Sequence, residues 1–246
     1  MYKFNSNQIY VVTGASSGIG EVVSLYLNAQ GASVIAIARN KDRLASLKLK
    51  AENPEYMFIE QKDLVDDIES LPVYLKTLKD TYGKFQGIAC CAGVTELLPL
   101  RALDLAQMQS VFAINYFVPI FMAKGFAEKR VNTGRGASFV AISSIAFAFP
   151  AKATITYSGS KSALVTSVKA IAKEFASTGV RYNTVSPSDI DTPMTQQISE
   201  IMDQVRGDYP LGFGLPQDVA NVVCFLLSPE AAWITGQNYI VDCASR

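Results

Sequence analysis

The sequence predicts one doubly wound α/β domain, a parallel sheet of about seven strands with helices on both faces. Three observations carry this. Short apolar runs rich in β-branched residues recur along the chain, and the stretches between them carry apolar residues at three- and four-residue spacing. No Pro/Gly/Ser-rich linker, repeat or charge block divides the 246 residues. Continuous apolar strands suit a parallel sheet covered on both faces, whereas a sheet with one wet face alternates.

Taken in order, Ile9 to Val12 is the first strand, and it leads through a glycine-rich turn into a helix that Gly31 ends. Val34 to Ala38 and Tyr56 to Ile59 follow as strands, then Gly87 to Cys90. Leu103 to Ala127 shows the clearest helical spacing, followed by strand Ala137 to Ile142 and helix Ser160 to Phe175. Val180 to Val185 and Tyr239 to Val241 complete the sheet. Met194, Ile198, Ile201, Met202 and Val205 recur at helical spacing before the breakers Gly207, Pro210, Gly212, Gly214 and Pro216. Residues 193–214 are therefore expected to form a lid over the rest of a single domain spanning 1–246, with a static core helix as the competing reading.

Composition narrows the function classes. A 49% hydrophobic and 18% charged chain has ample core material and no sign of disorder. Lys plus Arg and Asp plus Glu are both 22, which argues against nucleic acid as a partner. No apolar run approaches the roughly 18 residues that span a bilayer, and Met1 to Gln8 is polar, so no membrane partner and a cytoplasmic location are expected. The chain has no histidine, which removes Ser-His-Asp and Cys-His chemistry and every His-ligated metal site, and no metal is expected. Cys90, Cys91, Cys224 and Cys243 lack C-x-x-C spacing and read as reduced thiols, with Cys90 and Cys91 pointing to opposite faces of one strand.

The first turn reads Thr13-Gly14-Ala15-Ser16-Ser17-Gly18-Ile19-Gly20. Glycines here let the backbone turn tightly and approach a pyrophosphate, which then meets the helix N-terminus. Gly14, Ser16, Ser17, Gly18, Ile19 and Gly20 are the candidate cradle; an ordinary strand-to-helix turn is the alternative. About twenty residues on, a binder of NAD places an acid against the ribose. The second strand ends Ile37-Ala38-Arg39-Asn40 instead, and the planar cation of Arg39 suits a 2′-phosphate, unless it is simply a solvated helix-start arginine.

Tyr157 and Lys161 stand at i and i+4, on one helical face. A free tyrosine, with a pKa of about 10, is a weak base at neutral pH, and moving it three units takes about 4 kcal/mol. One cation at ~4 Å with an effective dielectric of ~20 supplies about that much. Such a pair alone is usually a surface feature. Here the strand ending at Ile142 also delivers Ser143-Ser144 to the carboxyl edge of the sheet, where ligands bind, thirteen residues before Tyr157.

With these residues assembled, the chain resembles the short-chain dehydrogenase/reductase family over nearly its whole length. The matching positions are Thr13-Gly14 through Gly20, Asp63-Leu64, Ala92-Gly93, Asn115, Ser144, Tyr157, Lys161 and Pro187 through Thr192-Pro193. The resemblance implies a Rossmann-type fold, a proton exchanged by Tyr157, a carbonyl oriented by Ser144, and a Lys161 that binds the nicotinamide ribose and lowers the tyrosine pKa. It implies that Asn115 holds a water linking Lys161 to solvent. Asp63 and Leu64 would meet the adenine, Ile190 and Thr192 the carboxamide, and Cys91, Ala92, Gly93 and Pro187 complete the cofactor set. An arginine at Arg39 looks like the family's NADP-preferring pattern, so NADP(H) is the expected cofactor. The expected activity is NADPH-dependent reduction of a ketone or aldehyde. An NAD-dependent secondary-alcohol dehydrogenase and a non-enzymatic NADP-sensing protein remain the alternatives. A homodimer or homotetramer is expected from the same resemblance and from helices more apolar than one buried face needs.

Three positions depart from the family's pattern. Cys90-Cys91 stand where two asparagines are usual, Ser188 where a glycine follows the proline, and Asp242-Cys243 where a glycine pair is customary. Ser188 matters if its backbone must take a positive φ. Phe147, Phe149, Met194, Ile198 and Met202 point to an apolar substrate pocket, or else pack the core.

Overall fold

The computed structural model describes residues 3–196 and 206–245. Its strands are β1 (Ile9–Thr13), β2 (Ser33–Ala38), β3 (Met57–Gln61), β4 (Phe85–Cys90), β5 (Ser138–Ile142), β6 (Arg181–Pro187) and β7 (Asn238–Val241). All neighbours pair in parallel, in the order β3-β2-β1-β4-β5-β6-β7. The helices are α1 (Gly18–Ala29), α2 (Lys41–Lys50), α3 (Leu71–Tyr82), α4 (Leu105–Phe112), α5 (Val118–Phe126), α6 (Ile155–Phe175), the single turn α7 (Pro193–Gln196) and α8 (Pro216–Leu227).

Strand alternation divides the core into two layers. Tyr10, Val12, Val34 and Ala36 face Val23 and Leu27 of α1 and Val219, Val223 and Leu226 of α8. Ile9, Val11, Ile35 and Ile37 face the other way, onto Leu71 and Leu75 of α3, Met122 and Phe126 of α5, and Leu164 and Val168 of α6. Cys90 packs in the second layer and Cys91 against the first, as their adjacency requires.

Two helices differ from their expected form. The segment expected from Leu103 to Ala127 is α4 and α5 joined by a π-turn at Ala113–Phe117, which carries Asn115. Across that turn, Leu105–Phe126 is long and apolar enough to cross a bilayer, with a mean hydropathy of 1.3. Run-counting missed this because polar residues such as Gln107, Gln109 and Asn115 interrupt the run without lowering the average far. One side of that segment is core: Val118, Met122, Ala123 and Phe126 are buried against α3 and the sheet. Helix α6 begins at Ile155, five residues before the expected Ser160, so Tyr157 and Lys161 both lie within it.

The chain runs β1, β2, β3 outward on one side, then returns to place β4 on the other side of β1. Loops leaving the carboxyl ends of β1 and β4 therefore diverge and leave a crevice. Of the expected lid, Met194 falls in α7, whereas Ile198, Ile201, Met202 and Val205 lie outside the described residues. The far end is anchored: Gly214 N donates to the Asp189 carbonyl at 3.1 Å, and Asp191 N to the Gly214 carbonyl at 2.8 Å.

Candidate active site

The turn after β1 is built by close approach. A Cβ on Gly14 would lie 2.7 Å from Ala92 N, and one on Gly20 would lie 2.4 Å from the Gly14 carbonyl oxygen. Gly14 and Gly18 also take φ of 67° and 57°, the left-handed region that glycine enters freely. Ser17 caps α1 without a side-chain hydrogen bond, so its hydroxyl leaves the first-turn amides to another acceptor.

A groove of 1350 Å³ runs along the carboxyl edge from this turn. It is lined by all the expected cofactor positions: the six of the turn, Arg39, Asp63, Leu64, Cys91 to Gly93, Tyr157, Lys161, Pro187, Ile190 and Thr192. At one end Arg39 Nη1 lies 3.6 Å from Asp63 Oδ2, an exposed ion pair between two residues expected to meet different parts of the cofactor. Arg43 and Lys62 line the same groove and were missed by sequence reasoning. Arg43 follows Arg39 by one helical turn, and Asn40 caps that helix by accepting from Arg43 N at 2.9 Å. The uncapped helix end and these cations fit the phosphates of a nicotinamide dinucleotide.

At the other end, β5 delivers Ser144, whose Oγ accepts from Ala146 N at 3.2 Å. Tyr157 and Lys161 rise from the first turns of α6. Ser162 holds α6 to the Ser144 turn by donating to the Phe147 carbonyl at 3.0 Å, and Ser143 donates to the Lys161 carbonyl at 3.0 Å. Lys161, only 4% exposed, donates from Nζ to the Ile142 carbonyl at 2.9 Å. Burial lowers the Lys161 pKa to about 8, opposed by the nearby Cys91 thiol. Burial pushes the Tyr157 phenol up, the Ser144 hydroxyl pulls it back, and the Asp189 carboxylate adds to the rise.

Asn115 lies behind the groove, 1% exposed. Its Oδ1 accepts from Val94 N at 2.9 Å and its Nδ2 donates to the Val94 carbonyl at 3.0 Å and Ser160 Oγ at 3.3 Å. The side chain thus fixes the strand β4 exit against α6. A Cβ on Gly93 would lie 3.1 Å from Asn115 Oδ1 and 3.5 Å from Lys161 Nζ, so glycine leaves room for both.

The three departures read as follows. Burial pushes the Cys91 thiol up to about 12, with Lys161 opposing, so it is a neutral thiol where an amide is usual. Ser188 does not take a positive φ, and its hydroxyl instead bonds Tyr209 at 2.9 Å. Cys243 and Ala244 do take left-handed φ, 50° and 59°, without being glycine.

A glycine-turn crevice with a half-buried tyrosine and a buried lysine beside a serine defines a dinucleotide-dependent oxidoreductase. The chain belongs to the short-chain dehydrogenase/reductase family. Residues 14–243 match the family model described as enoyl-(acyl carrier protein) reductase. The chain is 31% identical to a 3-oxoacyl-acyl-carrier-protein reductase of Vibrio harveyi, over 96% of each. It is also 31% identical to a cyclohexanol dehydrogenase of an Acinetobacter species, over 98% of this chain and 96% of the relative. A short-chain type dehydrogenase/reductase from Mycobacterium ulcerans superposes with a TM-score of 0.90 at 30% identity, covering 99% of this chain and 90% of that one.

Proposed function

We propose that this chain is an NADPH-dependent carbonyl reductase, reversible, with Tyr157 as general acid and base. The observation that carries the reading is one continuous groove with Arg39, Arg43 and Lys62 at one end and Ser144, Tyr157 and Lys161 at the other. The nicotinamide, when bound, supplies or takes up the hydride. Ser144 donates to the substrate oxygen and holds it beside the phenol. Tyr157 gives its proton to that oxygen in reduction and takes it back in oxidation; its raised pKa keeps the proton in place at neutral pH. Lys161 holds the ribose, and Asn115 keeps the β4 exit and α6 in register. Arg39 would hold a 2′-phosphate through charge-assisted hydrogen bonds. The reacting end is walled by Val94, Leu97, Ile114, Phe149 and Met194, which supports an apolar ketone as substrate; the names of the relatives, acting on 3-oxoacyl and cyclohexanol groups, agree with this.

The test is NADPH consumption with a panel of apolar ketones, repeated with NADH. Faster turnover with NADPH is expected. A preference for NADH would favour an NAD-dependent alcohol dehydrogenase, and NADPH binding without turnover would make the chain a sensor. We also infer a homodimer or homotetramer: only 28% of the apolar window within Leu105–Phe126 is buried, and Phe117 and Leu105 remain exposed. A monomer by light scattering would overturn that part.

A further inference from the structure

One polar cluster interrupts the apolar walls at the reacting end. Asp189, on the loop after β6, lines the groove, and its Oδ2 accepts the Tyr209 hydroxyl. That hydroxyl also shares a hydrogen bond with Ser188 Oγ at 2.9 Å, and Ser188 Oγ lies 3.4 Å from Ser245 Oγ. The backbone beneath is held to Gly214 on both sides of residue 190, which forms a parallel bridge to it. Tyr209 is 6% exposed, so the donor is itself fixed in place. Among the described residues no ion pair neutralises Asp189, and its Oδ1 has no hydrogen-bond partner. The carboxylate is near enough to Tyr157 to reinforce the rise that burial causes in its phenol.

We propose that Asp189 determines specificity: its carboxylate favours carbonyl substrates that bear a neutral hydroxyl near the reacting carbon and rejects those with an anionic group there. The inference rests on the carbonyl-reductase reading above. Apolar walls discriminate weakly between ketones of similar size, whereas a fixed acceptor left unpaired, or faced with a like charge, discriminates strongly. A hydrogen bond to a charged group is worth about ten- to a hundredfold.

The experiment compares kcat/KM for cyclohexanone with its ring-hydroxylated and ring-carboxylated analogues, at each ring position, in the wild-type chain and two variants. The wild type should prefer the best hydroxylated isomer over cyclohexanone by about tenfold and disfavour the carboxylated ones by a similar factor. Asp189→Asn removes the charge at constant size and should raise relative turnover of the carboxylated isomers by about tenfold. Tyr209→Phe removes the hydroxyl that shares the carboxylate and should sharpen both discriminations. Turnover of cyclohexanone with both ratios unmoved, within twofold, in Asp189→Asn overturns the proposal. Should Asp189→Asn fail to fold, unmoved ratios in Tyr209→Phe overturn it instead. Failure of the wild type on all the ketones overturns the carbonyl-reductase reading, and this inference falls with it.

Discussion

Lys161 Nζ stands 5.8 Å from the centre of the Tyr157 ring and gives its hydrogen bond to the Ile142 carbonyl, 2.9 Å away. The cation is thus parked on the end of β5 and exerts no leading influence on the phenol, whose pKa burial and the Ser144 hydroxyl govern. Holding a charge there costs the fold. Lowering the pKa from 10.5 to about 8 means the native state resists the proton that the unfolded chain accepts. The penalty is fully present below pH 8 and fades as pH rises to 10.5. It amounts to about 3 kcal/mol, net of what the bond to Ile142 contributes. Lys161→Met should therefore raise the melting temperature of the ligand-free protein at pH 7 by about 5 °C, while damaging turnover. Melting curves at pH 7 and 10 check this: the gain should shrink at the higher pH, and equal or reversed values would refute the assignment.

Tyr157→Phe keeps the ring and deletes only the transferable proton. Turnover should fall by at least ~10²-fold, the scale of general acid catalysis, with dinucleotide affinity preserved. Steady-state kinetics beside a binding titration decides it; a variant that keeps most of its activity shows the proton comes from elsewhere.

Arg39 and Asp63 form an exposed pair whose own energy is small. Arg39→Ala should therefore leave stability nearly untouched. It should raise KM for NADPH by about ten- to a hundredfold and spare KM for NADH. Arg43→Ala should do the same more weakly, since its guanidinium lines the groove one helical turn further on. Equal losses with both cofactors would remove the 2′-phosphate from the account.

Cys243 and Ala244 hold consecutive left-handed conformations, each costing an L-residue roughly 1–2 kcal/mol. Glycine relieves that cost but loses about 0.5–1 kcal/mol to its freer unfolded chain. Cys243→Gly and Ala244→Gly should each stabilise by about 0.5 kcal/mol, and together raise the melting temperature by about 3 °C. Unchanged or lower melting points would mean the tail relaxes these angles in solution.

Much of this was legible in the sequence because its signals are local. Apolar runs mark strands with no partner needed, and glycines four and then two residues apart report a turn wherever it lies. Tyr157 and Lys161 announce themselves through helical spacing alone. What stayed hidden depends on other parts of the chain. Asp189 acquires meaning only through Tyr209, twenty residues on, whose hydroxyl donates to Asp189 and is hydrogen-bonded in turn to Ser188. The π-turn at Ala113–Phe117 has no compositional mark, because Ala-Ile-Asn-Tyr-Phe fits an ordinary helix equally well. Apolar periodicity marks α6 only from Ser160, because Ser158, Gly159 and Ser160 are weak helix formers that tertiary contacts override; only the Tyr157–Lys161 spacing carries the helix further back. Strand β6 reaches Pro187, past its expected end at Val185, since a terminal proline forfeits no ladder bond that matters there.

The groove draws Gly14 to Gly20 from early in the chain, Ala92 and Gly93 from its middle, and Pro187 to Thr192 from its last third. No contiguous half of the polypeptide owns the binding energy, so affinity for the dinucleotide arises only once the sheet has closed around β1. A ligand of that kind raises the closed population in proportion to its concentration over its dissociation constant. Free nicotinamide dinucleotide should thereby stabilise the folded chain as well as take part in its reaction. A Tyr157→Phe copy, which lacks the transferable proton but keeps the groove, should retain that dependence.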